Sequence, residues 1–70
     1  MGRKEIIDRL FEEIKASGLK SSEIAKKVGI SAVMLTQYKT LYKLPSLETF
    51  AKICSVIGAS ADYILGLSEY

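Results

Sequence analysis

Seventy residues, a formal net charge of +2, one cysteine and no histidine bound what this chain can be. The length allows one domain, near the lower limit for a chain that must bury its own core, and a hydrophobic fraction of 49% supplies that core without staples. A lone cysteine excludes an intramolecular disulfide, and without histidine a His/Cys metal site has no ligands, so no cofactor or metal is expected.

Residues 3–17 predict the first helix. Ile6, Ile7, Leu10, Phe11 and Ile14 recur at spacings of three and four, while Lys4, Glu5, Asp8, Arg9, Glu12, Glu13 and Lys15 cover the solvated side. Glu5 and Arg9 stand four apart in the favourable order for an ion pair. Ser17-Gly18 ends the helix and Leu19 re-enters the core. Charges interrupt every apolar pair of this N-terminus, and no run approaches the ~20 apolar residues of a membrane span. A cytoplasmic protein that avoids membranes is the expectation.

The stretch SSEIAKKVGISAVMLTQY, residues 21–38, predicts two short helices around a glycine turn. Lys20 occupies the place of a convenient cap, so Ser21 is expected to cap the second helix one residue late. Ile24, Ala25 and Val28 share one face, Gly29 supplies the left-handed end, Ile30 points back to the core, and Ser31 caps the third helix, about residues 32–40. Leu35 and Tyr38 face inward there, leaving Ala32, Val33, Thr36, Gln37 and Thr40 outside. Two helices joined by such a turn form a unit whose second helix can enter a DNA major groove.

KTLYKLP, residues 39–45, is a connection in which no glycine is available for a left-handed cap, and Pro45 stops any helix by Leu44. Ser46 caps a fourth helix with Leu47, Phe50, Ala51, Ile53, Cys54 and Ile57 on its apolar side, closed by Gly58. Ser60 caps a short fifth helix ending at Gly66, followed by the tail LSEY. Cys54 and Tyr38 read as core residues, Met34 as core or half-buried, and Lys26 and Lys27 as a solvated face. The sum is an all-α, compact five-helix domain spanning 1–70.

An enzyme is not expected. The one thiol lies on the buried pattern, Asp8, Glu12 and Glu13 are helix neighbours without a cleft, and the glycines sit at helix ends rather than in a phosphate loop. No small-molecule substrate is implied.

EIAKKVGIS, PSLETFAKI and SADYILGLSE, taken together over about residues 5–68, resemble the Cro/C1-type (XRE-like) helix-turn-helix family, which includes phage repressors and many bacterial regulators. The resemblance implies a lambda-repressor-like domain with the helix-turn-helix at its second and third helices. It further implies a repressor of phage, prophage or bacterial genes that binds double-stranded DNA, usually as a homodimer on a palindromic operator. The family's base-reading positions fall on Ala32, Val33, Thr36 and Gln37. Gln37 can bond adenine through two hydrogen bonds, Thr36 can bond a base edge or touch a methyl group, and Ala32 and Val33 can meet thymine methyls. With no Arg on this helix, an A·T-leaning readout is expected. The family's usual Ser-Gln or Asn-Gln is Lys20-Ser21 here, and its Glu-x-Gly after the aromatic is Lys39-Thr40-Leu41. Ser21, Ser31, Lys39, Thr40, Tyr42 and Lys43 become the phosphate candidates, which give affinity and register but no sequence information. The resemblance and the apolar C-terminal end place dimerisation on Tyr63, Ile64, Leu67 and Tyr70. The alternative is a protein-interaction module on the same fold, docking through the third helix or the C-terminal surface.

Overall fold

The structure, a computed structural model, describes residues 1–69. Each helix starts where a side chain can take up its free amides. Helix α1 (Arg3–Ala16) begins at Gly2, whose N–H donates to the Glu5 carboxylate at 2.8 Å. It ends where the Ser17 hydroxyl donates to the Ile14 carbonyl at 2.6 Å and accepts from the Leu19 amide at 3.2 Å. Helix α2 (Ser21–Val28) corrects the expectation that Ser21 would cap. Lys20 is the cap residue, and its N–H donates to Glu23 Oε1 at 3.2 Å. A lysine cannot accept from the helix, so the glutamate three residues on supplies the one bond available from its side.

Gly29 takes φ +88°, and its N–H and that of Ile30 both donate to the Ala25 carbonyl at 2.9 and 3.0 Å. The turn therefore closes on a single acceptor, in a conformation that costs glycine little. Ser31 then accepts from the Met34 amide at 3.0 Å, opening α3 (Ala32–Lys39). Leu41 follows with φ +66°. This is the position where the resemblance puts glycine, and a non-glycine residue pays about 1–2 kcal/mol there. Leu41 remains because its side chain packs, half-buried, against the core, and because the Leu41 and Lys43 amides donate to the Tyr38 and Gln37 carbonyls at 3.1 and 3.2 Å. Helix α4 (Leu47–Ile57) opens with Ser46 accepting from the Thr49 amide at 3.1 Å, and α5 (Ala61–Ile64) with Ser60 accepting from the Tyr63 amide at 3.2 Å.

The core is assembled evenly. Leu10, Ile24, Leu35, Ile53 and Ile64, one from each helix, retain at most 1% of their exposure. Around them close Ile7, Ile14, Val28, Tyr38 and Cys54. The predicted apolar side of α4 needs correction at two positions: Leu47 is 86% exposed and Ala51 is exposed. The predicted Glu5–Arg9 pair is also absent. Glu5 is taken by Gly2, and Arg9 reaches across to α5, donating to the Tyr63 carbonyl at 2.7 Å with its guanidinium 4.5 Å from the Tyr63 ring centre. A charge-assisted bond to a carbonyl in the last turn of α5, reinforced by the ring face, holds a helix too short to persist alone. Lys4 pairs with Asp8 instead, at 3.0 Å on the exposed face.

Burial pushes the Cys54 thiol above its ordinary pKa by desolvating the thiolate. Alkylation by iodoacetamide at pH 8 should therefore run at least ~10-fold slower in the native protein than in urea. Mass spectrometry over time checks this, and equal rates would contradict the burial.

Candidate nucleic-acid interface

Helix α3 is anchored from beneath and open above. Leu35 and Tyr38, three apart, keep 1% and 3% of their exposure and fix the helix on the core. That leaves Ala32, Val33 and Thr36 exposed, with Val33 at 65%. A β-branched apolar residue so exposed on a packed helix gains nothing from the core. Gln37 is half-buried at the edge of this face, and its carboxamide has no hydrogen-bond partner among the described residues. The Thr36 hydroxyl donates back to the Ala32 carbonyl at 3.2 Å, and that of Thr40 to the Gln37 carbonyl at 3.2 Å. In this arrangement both present acceptor lone pairs outward. The face thus offers the methyl-bearing surfaces of Ala32 and Val33, the hydroxyl oxygens of Thr36 and Thr40 as acceptors, and one amide with both donor and acceptor.

The predicted phosphate contacts frame that face. Ser21, Thr36 and Lys39 line one groove between α1 and α3, over a floor that includes Ile7, Phe11 and Leu35. Ser21 is the first residue of α2, where the leading amides have no partner within the helix. Ser31, Lys39, Thr40, Tyr42 and Lys43 are all exposed, Tyr42 at 75%. Ser31 accepts the Met34 amide, yet its own hydroxyl proton remains available.

Charge is concentrated on this part of the chain. Between residues 20 and 43 there are five lysines against one glutamate, where the whole chain nets +2. None of those lysines is ion-paired among the described residues. The α1 rim of the groove is of mixed sign, with Glu12 beside Lys15 and Asp8 paired to Lys4 at 3.0 Å. The positive potential of the chain is therefore centred on the segment from the start of α2 to the loop after α3. Asp8, Glu12 and Lys15 lie on the solvated face expected from their spacing, and the packing of α1 against α3 adds that they border the groove.

The C-terminal expectation is corrected in part. Ile64 has no exposed surface and serves the core, so it is unavailable to a partner. Tyr63 is half-buried beneath Arg9, and Leu67 is 75% exposed. These two line a separate recess with Met1, Arg9, Gly66, Ser68 and Glu69. Tyr70 lies outside the described residues. No group of three or more acidic or cysteine side chains placed to hold a metal ion occurs among the described residues, and no helix there is long and apolar enough to cross a membrane.

A family model described as helix-turn-helix matches residues 10–64. The HTH-type transcriptional regulator ImmR of Bacillus subtilis (strain 168) is 33% identical over 61 residues, which are 87% of this chain and 48% of that protein. The chain thus spans about half the length of the curated relative it matches. No solved structure matches.

Proposed function

The chain belongs to the helix-turn-helix family, in its XRE-like branch, and from that premise we propose that it is a sequence-specific, double-stranded DNA-binding transcriptional regulator. The observation that carries this reading is the outward face of α3, where Ala32, Val33 and Thr36 are exposed and Gln37 lies half-buried at their edge, on a helix that Leu35 and Tyr38 fix from below. In the proposed complex α3 lies in the major groove. Ala32 and Val33 meet thymine methyls, Gln37 bonds an adenine edge, and Thr36 accepts from an exocyclic amine. Ser21, Ser31, Lys39, Thr40, Tyr42 and Lys43 hold the flanking phosphates, as the free lysines and unpartnered α2 amides support. The protein acts in the cytoplasm of a bacterium as a repressor, of phage or prophage type, by occupying an operator. Two copies on a palindrome would set two α3 helices about one turn apart, ~34 Å.

Selection of random duplexes by the purified chain, at low and at moderate salt, tests this reading. An A·T-leaning inverted repeat, bound with an affinity that falls steeply as salt rises, is the expected result. Binding without a motif would remove the sequence-specific part. No binding at either salt would favour a protein-interaction module, for which exposed Val33 is the first contact to examine.

A further inference from the structure

The outward face of α3 is poor in donors. From Ala32 to Tyr38 the helix carries no charged side chain. The Thr36 hydroxyl proton is committed to the Ala32 carbonyl at 3.2 Å, so toward a partner its oxygen can only accept. Tyr38 is buried. There remain the Gln37 carboxamide, which accepts and donates, and the methyl surfaces of Ala32 and Val33.

What such a face demands of a duplex follows from the base edges. In the major groove the only donors are the exocyclic amines, N6 of adenine and N4 of cytosine, each turning one proton outward from its pair. Thr36 and the Gln37 oxygen both depend on that proton. The one projecting methyl group of unmodified DNA is that of thymine C5, which Ala32 and Val33 meet in the proposed complex. An arginine here would instead donate to guanine O6 and N7, which methylation of an amine leaves untouched. The helix has none.

We propose that the α3 face senses DNA methylation with opposite sign at two positions, an inference that rests on the operator reading above. Methylation of an exocyclic amine, as in N6-methyladenine, excludes the protein. Methylation of cytosine at C5 favours it, because it supplies the methyl that thymine carries. To keep its Watson–Crick bond, an N6-methylated adenine turns its remaining proton inward and its methyl into the groove. The Gln37 oxygen then meets a carbon in place of a donor, and an acceptor desolvated without a partner is costly.

The helix cannot easily yield to that methyl. The Gln37 carbonyl accepts the Thr40 hydroxyl and the Lys43 amide, each at 3.2 Å, which ties the end of α3 to the loop after it. Gln37 is itself half-buried, and Leu35 and Tyr38 fix the helix on the core. Val33 is β-branched and holds one preferred χ1 in a helix, so its methyls form a fixed apolar surface.

The test places single modified bases in the selected duplex at fixed salt. Each adenine in turn becomes N6-methyladenine, each thymine becomes uracil, and cytosine and 5-methylcytosine are compared at the thymine most sensitive to uracil. The same changes outside the motif control for duplex shape. Fluorescence anisotropy gives the affinity of the unaltered chain and of Gln37→Ala. N6-methylation of one adenine in each half-site should weaken binding on the order of 10- to 100-fold. Uracil at a contacted thymine should cost roughly 4-fold, and 5-methylcytosine should bind roughly 4-fold tighter than cytosine there. Gln37→Ala should bind duplexes methylated and unmethylated at that adenine alike, which a change in duplex stability alone would not produce. If Gln37→Ala binds too weakly to titrate, Thr36→Val, which keeps the shape and loses the acceptor, takes its place at the adenine or cytosine that Thr36 contacts. N6-methylation that acts no more strongly inside the motif than outside, or full discrimination kept by the variant, overturns the inference and leaves the operator reading intact. A 5-methylcytosine bound no better than cytosine overturns its C5 half. Absence of any sequence preference on unmodified duplexes removes the operator reading itself, and the inference with it.

Discussion

Replacing Leu35 by alanine is expected to cost about 2–5 kcal/mol of stability and to abolish DNA binding at physiological temperature, although Leu35 touches no DNA in the proposed complex. The side chain keeps 1% of its exposure and is the only α3 member of the five that meet at the centre. A chain of this length has a total stability of roughly 4–10 kcal/mol, so the loss consumes much of what exists. The helix is also short, with eight residues, and helices of that size hold their shape through packing rather than propensity. Val33→Ala, on the opposite face, is the matched control, since a substitution at an exposed site stays within about 0.5 kcal/mol. Urea unfolding of both variants measures the difference. A Leu35→Ala midpoint equal to that of Val33→Ala would refute the anchoring role.

The contrast between Leu35 and Val33 was legible from spacing alone, as were the glycine turn, the caps at Ser31, Ser46 and Ser60, and the inward faces of α1, α2 and α3. Each depends on residues within a few positions of one another. The apolar side of α4 shows where spacing fails. With 3.6 residues per turn, Phe50, Ile53, Cys54 and Ile57 cluster on one side, and Ala51 lies about 100° from their centre. Leu47 falls at the stripe's border and in the first turn, where no neighbouring helix covers it. An apolar residue marks a place that avoids water, but the partner can be another molecule.

Arg9 and Leu41 were illegible for a different reason. The Arg9 partner is 54 positions away on α5, and no local pattern distinguishes that contact from the i,i+4 pair with Glu5. Leu41 departs from the pattern of its family where glycine is usual, and the sequence offers no sign that the left-handed turn survives the change. The turn persists because core packing of the leucine offsets a local backbone cost. This matters to the proposed interface, because the loop that presents Tyr42 and Lys43 starts at that residue. The groove border formed by Asp8 and Glu12 is likewise a product of packing, visible only when α1 is set beside α3.

The second large effect separates reading from holding. Gln37→Ala should cost about 1–3 kcal/mol against the selected site, with the preference relaxed at a single base pair of each half-site, because the carboxamide can donate and accept in one bidentate contact, whereas the Thr36 hydroxyl proton is taken by the Ala32 carbonyl and Tyr38 is buried. Lys43→Ala should weaken all duplexes alike and reduce the slope of log affinity against log salt by about one for each copy bound. The two variants thus differ in kind rather than in amount. On a duplex with one half-site the Lys43 slope change should be about one, and on a palindrome filled by two copies about two, so the same titration also counts copies. If Gln37→Ala weakened selected and random duplexes equally, its half-buried side chain would be supporting the helix instead of reading a base. If Lys43→Ala left the salt slope unchanged, the loop after α3 would lie off the phosphate backbone, and the positive segment from 20 to 43 would act through Lys20, Lys26, Lys27 and Lys39 alone.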